Sequence, residues 1–421
     1  MMRRLLSLLT LSISLAGTPA LAAPFAYVPN SFTNNVSVID AATNAVVSTI
    51  AVGDRPLGVA VSPDGTRVYI TNMGADTVSV LDATNDTVVV TVSVGDAPLG
   101  VAVHPDGSRV YVANQLGGTV SVIDTATNAV VAVVGPVGSR PSGIVVNAAG
   151  TRVYVTNRFS WTVAVIETAT NVVVDTFDVG SSPLGVAVNA AGTHLYVVNA
   201  GAGTLSVIDL ATRAVATVPV GGSLAAVALH PSAPRAYVTN AWPSGVAVID
   251  TTNPSAPAVV ATVPVSGSPF GIALDPGGAR LYVASEDFNE VWVLDAATHA
   301  LVTRVPVGTG PAAFGLFIGP LATADDGCTV PDTAVRNGKG KGKGSSQRQH
   351  VDPALVAAAC AAAVEAVRNA AAAGPNDPRL APAARARDKG LAALAPGDHR
   401  RALNHFRQAS RLAERIIARP K

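Results

Sequence analysis

Residues 56–97 read PLGVAVSPDGTRVYITNMGADTVSVLDATNDTVVVTVSVGDA, and this stretch decides the fold. It holds four short runs of mainly β-branched residues, at 57–62, 67–72, 77–82 and 88–94, separated by turn-forming residues such as Pro63-Asp64-Gly65. The first run is almost wholly apolar, and the second and third alternate apolar and polar side chains. Runs of this length and type are typical of β-strands, so the stretch predicts four short antiparallel strands.

The same plan returns along the chain at intervals of about 42 residues. A tyrosine marks each return, at Tyr27, Tyr69, Tyr111, Tyr154, Tyr196, Tyr237 and Tyr282. The first six open a Tyr-Val/Ile-x-Asn segment, whereas the seventh, Tyr282-Val-Ala-Ser285, lacks the asparagine. Four strands in a unit of this length are typical of a propeller blade. Seven units therefore predict seven blades.

The two ends of the repeat region complement each other. The first unit begins at its second strand, 26–30, and an extra first strand, 313–319, follows the last unit. We expect this strand to complete the first blade, which would remove exposed sheet edges. The sequence thus predicts an all-β, seven-bladed β-propeller of four-stranded antiparallel blades with terminal strand closure, plus a small C-terminal α-helical segment.

Composition excludes several classes of protein. Of 421 residues, 49% are hydrophobic and 14% charged, which argues against disorder throughout the chain. The 38 glycines follow no collagen period, and no apolar run after the N-terminus is long enough to cross a membrane. The net charge of +1 is divided unevenly, because residues 23–335 contain no lysine and are acidic, whereas residues 336–421 are strongly basic.

The N-terminus has the features of an export signal. Arg3 and Arg4 precede an apolar stretch, 5–16, and Ala20-Leu21-Ala22 supplies the small residues of a cleavage site. We predict a signal peptide over 1–22, the propeller over 23–322, and a mature protein that is periplasmic or extracellular.

The repeats resemble the YVTN family of β-propellers, which are secreted or surface proteins of bacteria and archaea. The resemblance covers about residues 26–320 and rests on the YVTN-like segments, on strands such as Val36 to Asp40 and Val120 to Asp124, and on TATN turns. It implies the propeller fold and an exported protein. The family is related in shape to seven-bladed lactonases and to redox-cofactor propellers, and the resemblance itself implies no particular activity.

The loops between blades differ more than the strands do. Asn and Asp residues that recur in each unit are expected to build the blade by capping turns. Loops that enter the innermost strand and loops between the second and third strands should share one rim, and they hold unusual aromatic and arginine residues. Such residues are common binding anchors, and the alternative is that each ring covers the end of its own blade. The candidate binding residues are Arg55, Arg140, Arg158, Phe159, Trp161, Trp242 and Phe288.

The sequence contains no recognisable catalytic motif. His104 and His230 occupy equivalent turns after the innermost strand, where other units have Ser62, Asn147, Asn189 and Asp275. A metal or acid–base site there is the alternative to a simple turn, and we interpret these residues as turn formers. The apolar innermost strands argue against a hydrolase, which would need Arg, His and Glu clustered at the central channel.

The tail differs in composition from the repeats. Residues 323–350 are rich in Gly, Lys and Ser and predict a flexible linker, and residues 351–421 predict a basic helical hairpin. In an exported protein Cys328 and Cys360 are expected to form a disulfide. The basic tail would dock on the acidic propeller, tether the protein to an anionic surface, or only solubilise its helices.

These observations together favour a non-catalytic binding or scaffolding protein of the cell envelope, with no catalytic residue, no metal and no cofactor. The expected partner is an envelope protein or polymer. Nucleic acid is a possible partner of the basic tail but is not indicated, because the tail lacks aromatic residues among its basic ones. We expect a monomer without a transmembrane segment in the mature chain. The alternative is a propeller enzyme of lactonase-like or redox-cofactor type.

Overall fold

The structure is a computed structural model, and it describes residues 24–319. The predicted signal peptide, the linker, the helical hairpin and both cysteines lie outside this range, as do residues 320–322 at the end of the predicted propeller. Those assignments therefore stay predictions. Within the described range there is no helix long and apolar enough to span a membrane.

Twenty-seven strands form seven antiparallel sheets arranged as the blades of a propeller, which confirms the predicted fold class. Blade 1 contains β1 (Phe25–Asn30), β2 (Asn35–Asp40) and β3 (Ala45–Ala51). Blade 2 contains β4 (Pro56–Val61), β5 (Arg67–Asn72), β6 (Thr77–Asp82) and β7 (Thr87–Ser93). Blade 3 contains β8 (Pro98–Val103), β9 (Arg109–Asn114), β10 (Thr119–Asp124) and β11 (Ala129–Val134). Blade 4 contains β12 (Pro141–Val146), β13 (Arg152–Asn157), β14 (Thr162–Glu167) and β15 (Val172–Asp178).

The remaining blades repeat this order from the innermost strand to the outermost. Blade 5 contains β16 (Pro183–Val188), β17 (His194–Asn199), β18 (Thr204–Asp209) and β19 (Val215–Pro219). Blade 6 contains β20 (Leu224–Leu229), β21 (Arg235–Asn240), β22 (Gly245–Asp250) and β23 (Ala258–Pro264). Blade 7 contains β24 (Pro269–Leu274), β25 (Arg280–Ser285), β26 (Glu290–Asp295) and β27 (Leu301–Pro306).

Burial explains why the strands differ in sequence pattern. The second and third strands are buried almost throughout, because the blades on either side cover both of their faces. Tyr69 and Tyr111, which mark the repeat, lie in this buried layer. The outermost strands are mostly exposed and bury one residue near their end, such as Ile50 in β3 and Phe177 in β15, since no further strand of the blade covers them.

The end of the repeat region closes the ring as predicted. Residues 311–318, here the closing segment, bridge antiparallel to β1 at Ala26–Ile318 and Asn30–Pro311. The Tyr27 backbone N–H donates to the Phe317 carbonyl at 2.8 Å. On its other side the closing segment meets β4, where the Val59 N–H donates to the Phe314 carbonyl at 3.0 Å. The segment thus completes blade 1 and joins it to blade 2.

Glycine in the innermost strands is required by the narrowness of the ring. A Cβ on Gly100 would clash with the carbonyl oxygen of Ser142 in the next blade, and a Cβ on Gly143 would clash with that of Leu184. Neighbouring innermost strands can approach this closely only because the side chain is absent. The glycine in the repeated Pro-x-Gly segment therefore sets the diameter of the central channel.

The repeated polar residues build the blades. Asn157 and Asn240 donate to backbone carbonyls of the loop before the innermost strand, at 2.9 and 3.0 Å, whereas other asparagines bond side chains of the third strand. The buried Asn72 donates through Nδ2 to the hydroxyls of Thr77 at 3.0 Å and Ser79 at 2.9 Å, rather than to nearby backbone. The aspartates cap turns as expected, and the Asp82 carboxylate accepts from the Thr84 N–H at 2.9 Å. The asparagine thus joins the second strand to the third.

Candidate functional site

The innermost strands of all seven blades enclose a cavity on the axis of the propeller, here the axial cavity, with a volume of about 610 Å³. This volume is within the range of small-molecule sites in proteins. Nearly all of its lining is apolar, from residues such as Val103, Val145, Val188, Leu229 and Leu316. Among the described residues, only Ser62 and Asp275 contribute polar side chains to the lining.

One end of the axial cavity is closed by apolar side chains. They belong to the segments where the innermost strands begin, and they form one contiguous cluster, here the plug. The plug consists of Leu57, Leu99, Leu184, Phe270 and Phe314. Leu99, Leu184 and Phe314 come from blades 3 and 5 and from the closing segment and are only 3–7% exposed, so little open space remains at this end. The Phe270 and Phe314 rings are 5.8 Å apart between centroids, which is a favourable aromatic separation.

The opposite end of the axial cavity opens among the turns that follow the innermost strands, here the turn rim. One polar residue directly follows the strand in each of blades 2 to 7. These residues are Ser62, His104, Asn147, Asn189, His230 and Asp275. Equivalent positions on a ring lie at the same height, and two of the six residues, Ser62 and Asp275, line the cavity itself.

Most members of this polar set are committed to their own turns, as the sequence predicted. Asn147 Oδ1 accepts from the backbone N–H groups of Thr151 at 2.8 Å and Arg152 at 3.0 Å. The Ser62 hydroxyl donates to Asp64 at 2.5 Å. Neither side chain can reorient towards a ligand without breaking a hydrogen bond that holds its turn.

The two histidines of the turn rim differ in their surroundings. His104 Nδ1 lies 2.6 Å from Asp106 Oδ1, and Nε2 lies 2.7 Å from the Gly150 carbonyl oxygen in blade 4. Both nitrogens of this ring are therefore occupied. Hydrogen bonds from the hydroxyl and N–H of Ser108, with His104 adding to them, lower the pKa of Asp106 to about 2.

His230 is arranged differently. Its Nδ1 accepts backbone N–H groups from Ser232 at 3.2 Å and Ala233 at 2.8 Å, so the proton of a neutral ring resides on Nε2. The Nε2 edge faces the turn of blade 7, since a Cβ on Gly278 would lie 2.8 Å from it. Within the range that the structure describes, this nitrogen makes no hydrogen bond.

Asp275 begins the blade 7 turn that His230 faces. Its Oδ1 accepts the Arg280 N–H at 2.9 Å, and the Gly278 N–H donates to its backbone carbonyl at 2.9 Å. Oδ2 has no hydrogen-bond partner among residues 24–319. Asp275 is thus a carboxylate in the cavity wall with one oxygen available, and the His230 ring, with one N–H available, faces the same turn at Gly278.

The predicted binding residues lie at the other end of the ring, here the aromatic rim. Phe159, Trp161, Trp242 and Phe288 are exposed there. In blade 4, Arg158 donates its backbone N–H to the Arg140 carbonyl at 2.9 Å, which joins the two loop sets. The Arg140 guanidinium stacks 4.8 Å from the centre of the Phe159 ring. Arg55, Trp242 and Phe288 belong to blades 2, 6 and 7, so the structure does not gather the whole set into one cluster.

Metal ligands are not assembled in the described part of the chain. No group of three or more His, Cys, Asp or Glu side chains comes together there in a way that could hold a metal ion. The turn-rim histidines sit on different blades, His104 on blade 3 and His230 on blade 6.

The fold and its axial cavity define the chain as a seven-bladed β-propeller with a ligand-sized site on its axis. Two segments, 25–138 and 58–215, match the family model described as "Lactonase, 7-bladed beta-propeller". The matched residues run through blades 1 to 5 and amount to less than half of the chain. The chain is therefore similar to that family over this part. A search of curated protein sequences found no match.

Solved structures with this fold are numerous. Hydrazine synthase of Kuenenia stuttgartiensis is 23% identical, with a TM-score of 0.59 and coverage of 68% of this chain and 99% of that one. A putative 6-phosphogluconolactonase of Bacteroides fragilis is 19% identical, with a TM-score of 0.60 and coverage of 70% and 98%. One of Bacteroides uniformis is 18% identical, with a TM-score of 0.60 and coverage of 69% and 98%. At these identities the likeness shows the fold alone.

The family match corrects one sequence-based expectation. We expected a non-catalytic binding or scaffolding protein and no enzyme, and the match to a lactonase model contradicts both statements. The apolar innermost strands led to this error. They were interpreted as evidence against a hydrolase, whereas in the structure they enclose the axial cavity, and ligand sites are predominantly apolar.

Proposed function

We propose that this chain is a lactonase-type hydrolase that binds its substrate in the axial cavity and cleaves it at the turn rim. The match to the lactonase model, on a chain whose innermost strands enclose a ligand-sized cavity, is the observation on which the proposal rests. Asp275 and His230 are the residues that we assign to the chemistry.

Lactone hydrolysis makes two demands on a site. A water molecule must lose a proton as it attacks the ring carbonyl carbon, and the oxyanion that forms must be stabilised by a donor. The ring C–O bond then breaks, and the ring oxygen leaves as the hydroxyl of the open acid after it takes up a proton. A base and a hydrogen-bond donor near one cavity mouth meet these demands.

Asp275 is suited to the role of base. Its Oδ1 is held by the Arg280 N–H, which fixes the carboxylate, while Oδ2 is left to accept a proton from water. The side chain belongs to the cavity wall, so a substrate carbonyl at the mouth would lie beside it. A positioned carboxylate of this kind accelerates proton transfer by about 10²–10⁴-fold.

His230 is suited to the role of donor. The two N–H groups that Nδ1 accepts hold the ring as the Nε2–H tautomer. A neutral imidazole can polarise a carbonyl by hydrogen bonding without transferring charge first. Because the Nε2 edge faces the Asp275 turn, the base and the donor would act on the same substrate.

The experiment compares variants that the turns already tolerate. Asp275→Asn keeps the turn, since Asn147 and Asn189 occupy equivalent positions, and His230→Ser reproduces what Ser62 does in blade 2. We expect the rate of acid release from lactones, followed by pH-stat titration, to fall about 10²–10⁴-fold in the first and 10²–10³-fold in the second.

His104→Ser is the matched control, because it makes the same change at the equivalent position of blade 3. It should keep wild-type activity within about twofold. The proposal fails if the wild-type protein opens no lactone across a panel of ring sizes, or if Asp275→Asn retains full activity while thermal unfolding confirms an intact fold.

A further inference from the structure

We infer that the substrate of the axial cavity is an uncharged lactone with an apolar substituent, and that a phosphorylated or carboxylated lactone is excluded. This inference rests on the proposed function and adds the class of substrate. It follows from the charges around the cavity, from the one large apolar side chain exposed inside it, and from the closed end.

The cavity offers no cation to an anionic substrate. No Lys, Arg or His side chain from the described range lines it, and its one charged side chain, Asp275, is negative. A phosphate or carboxylate that entered would lose its hydration with no opposite charge to replace it, which is strongly unfavourable. The sign of Asp275 makes the entry of an anion more unfavourable still.

The arginines nearest to the turn rim are already paired. They begin the second strands, one strand removed from the axis. Four of them contact an acidic side chain at the end of the third strand, and the fifth, Arg109, donates to the Thr168 carbonyl at 2.9 Å. The pairs are Arg67–Asp82 at 3.1 Å, Arg152–Glu167 at 2.9 Å, Arg235–Asp250 at 2.8 Å and Arg280–Asp295 at 2.6 Å. These four arginines are therefore not directed to the cavity.

Leu316 marks the surface that the substituent would cover. It lines the axial cavity, yet 59% of its surface is exposed, although Phe314 and Phe317 in the same segment are buried. A large apolar side chain that faces solvent inside a concave site gains free energy when an apolar ligand covers it. Leu316 is thus a specificity-determining residue for an apolar substituent.

The closed end fixes the orientation of the substrate. The plug occupies the inner end, so a substituent can extend inward from the mouth only as far as Phe314, which belongs both to the cavity lining and to the plug. The polar ring of the lactone then remains at the turn rim beside Asp275 and His230. With its apolar substituent inward and its polar ring at the mouth, the substrate leaves no polar atom buried without a hydrogen-bond partner.

The first test measures binding without turnover. Five-membered lactams with unbranched alkyl groups of increasing length, which resist hydrolysis, are titrated into the full-length protein by calorimetry. We expect the dissociation constant to fall about fourfold for each added methylene until the cavity is full. A phosphate-bearing lactam of the same ring should show no binding.

The second test changes the charge of the wall. Leu316→Arg should weaken binding of the longest alkyl lactam by at least about tenfold, because a charge replaces apolar contact. It should also create measurable binding of the phosphate-bearing lactam. Leu116→Arg is the matched control, since Leu116 is equally exposed, at 59%, but lies on the aromatic rim. Leu316→Ala makes the same comparison without adding a charge, and it should weaken binding of the longest alkyl lactam about tenfold.

The outcomes separate this inference from the proposed function. If the protein opens phosphorylated lactones and alkyl lactams do not bind progressively more tightly, the substrate class is wrong and the hydrolase assignment stands. If alkyl lactams bind as expected and no lactone of any kind is opened, the hydrolase assignment is wrong and the apolar site stands. Equal effects of Leu316→Arg and Leu116→Arg would overturn the role of Leu316.

Discussion

The two ends of the propeller axis differ in almost every respect. At the aromatic rim the innermost strands begin, exposed aromatic and arginine side chains stand on the loops, and the plug closes the axis. At the turn rim the strands end in short polar turns, and the axial cavity opens between them. The end that is rich in unusual side chains is the closed end of the axis, and the axial cavity opens at the end that is plain in sequence.

This difference shows that an unusual side chain and a concave site are separate properties. Aromatic residues on a loop indicate that the loop is free to vary, which repeated strands are not. A cavity on the axis depends instead on the distance between innermost strands, and that distance is set by glycines that recur in nearly every blade. Residues that depart from the repeat therefore indicate variable loops. They give no sign of a cavity that the repeated glycines produce.

The largest expected difference between the two ends of the axis is in packing. Leu184 in the plug is only 7% exposed. Leu184→Ala should lower the free energy of unfolding by about 2–5 kcal/mol, since it removes buried apolar contact and leaves a cavity. Chemical denaturation followed by circular dichroism measures the change.

Leu316→Ala is the control for this measurement, because it removes the same atoms from the open end, where the side chain is exposed. It should change stability by no more than about 0.5 kcal/mol. If the two variants lose equal stability, the two ends of the axis do not differ in packing, and the description of one as closed and the other as open is wrong.

The sequence predicted the fold for physical reasons. Each blade must bury the faces of its second and third strands against its neighbours, and this forces the same apolar pattern and the same tyrosine in every unit. The extra strand at 313–319 could be recognised because it matches the innermost strands and lacks the rest of a unit. Its pairing with β1 confirms the closure.

The site could be predicted only in part. The equivalent positions of His104, His230 and Asp275 are visible in the sequence, and they were interpreted as turn residues. One difference between the two histidines lies two residues further on, because Asp106 contacts Nδ1 of His104 whereas the Ser232 and Ala233 N–H groups donate to Nδ1 of His230, and the sequence shows it. The other is the Gly150 carbonyl at 2.7 Å from Nε2 of His104, and it depends on how the next blade packs, which no local pattern encodes. The cavity was missed because its apolar wall is indistinguishable in sequence from an ordinary core strand.

The dependence of stability on pH should also differ between the two rims, with smaller effects than those of packing. At the turn rim, hydrogen bonds from the backbone N–H and hydroxyl of Thr298, with Arg280 adding to them, lower the pKa of Asp295 to about 2. At the aromatic rim, burial, with Asp287 adding to it, raises the pKa of Glu286 above its usual value of 4.5. The two groups should therefore respond to pH in opposite directions.

The signs follow from linkage. Stability from Asp295 is complete above the unfolded pKa of about 3.8 and is lost as the pH falls towards 2, so Asp295→Asn should lose less stability over that interval than the wild type. Glu286 is unfavourable once ionised, so Glu286→Gln should gain stability relative to the wild type as the pH rises from 3 to 7. Urea midpoints at pH 2, 3, 4 and 7 test both, and a parallel response of the two variants would contradict the assignment.

The smallest expected effect concerns the aromatic rim itself. Trp242 is 78% exposed, so Trp242→Ala should change the free energy of unfolding by less than about 0.5 kcal/mol. The buried Trp292, 6% exposed and donating Nε1–H to Glu290 at 2.7 Å, is the comparison, and Trp292→Ala should lose about 3–5 kcal/mol. A loss above 1 kcal/mol in Trp242→Ala would mean that the rim aromatics cover the ends of their own blades. A negligible loss of stability would mean that the rim aromatics are surface side chains free to contact another molecule. They would do so at the end of the propeller opposite to the proposed chemistry.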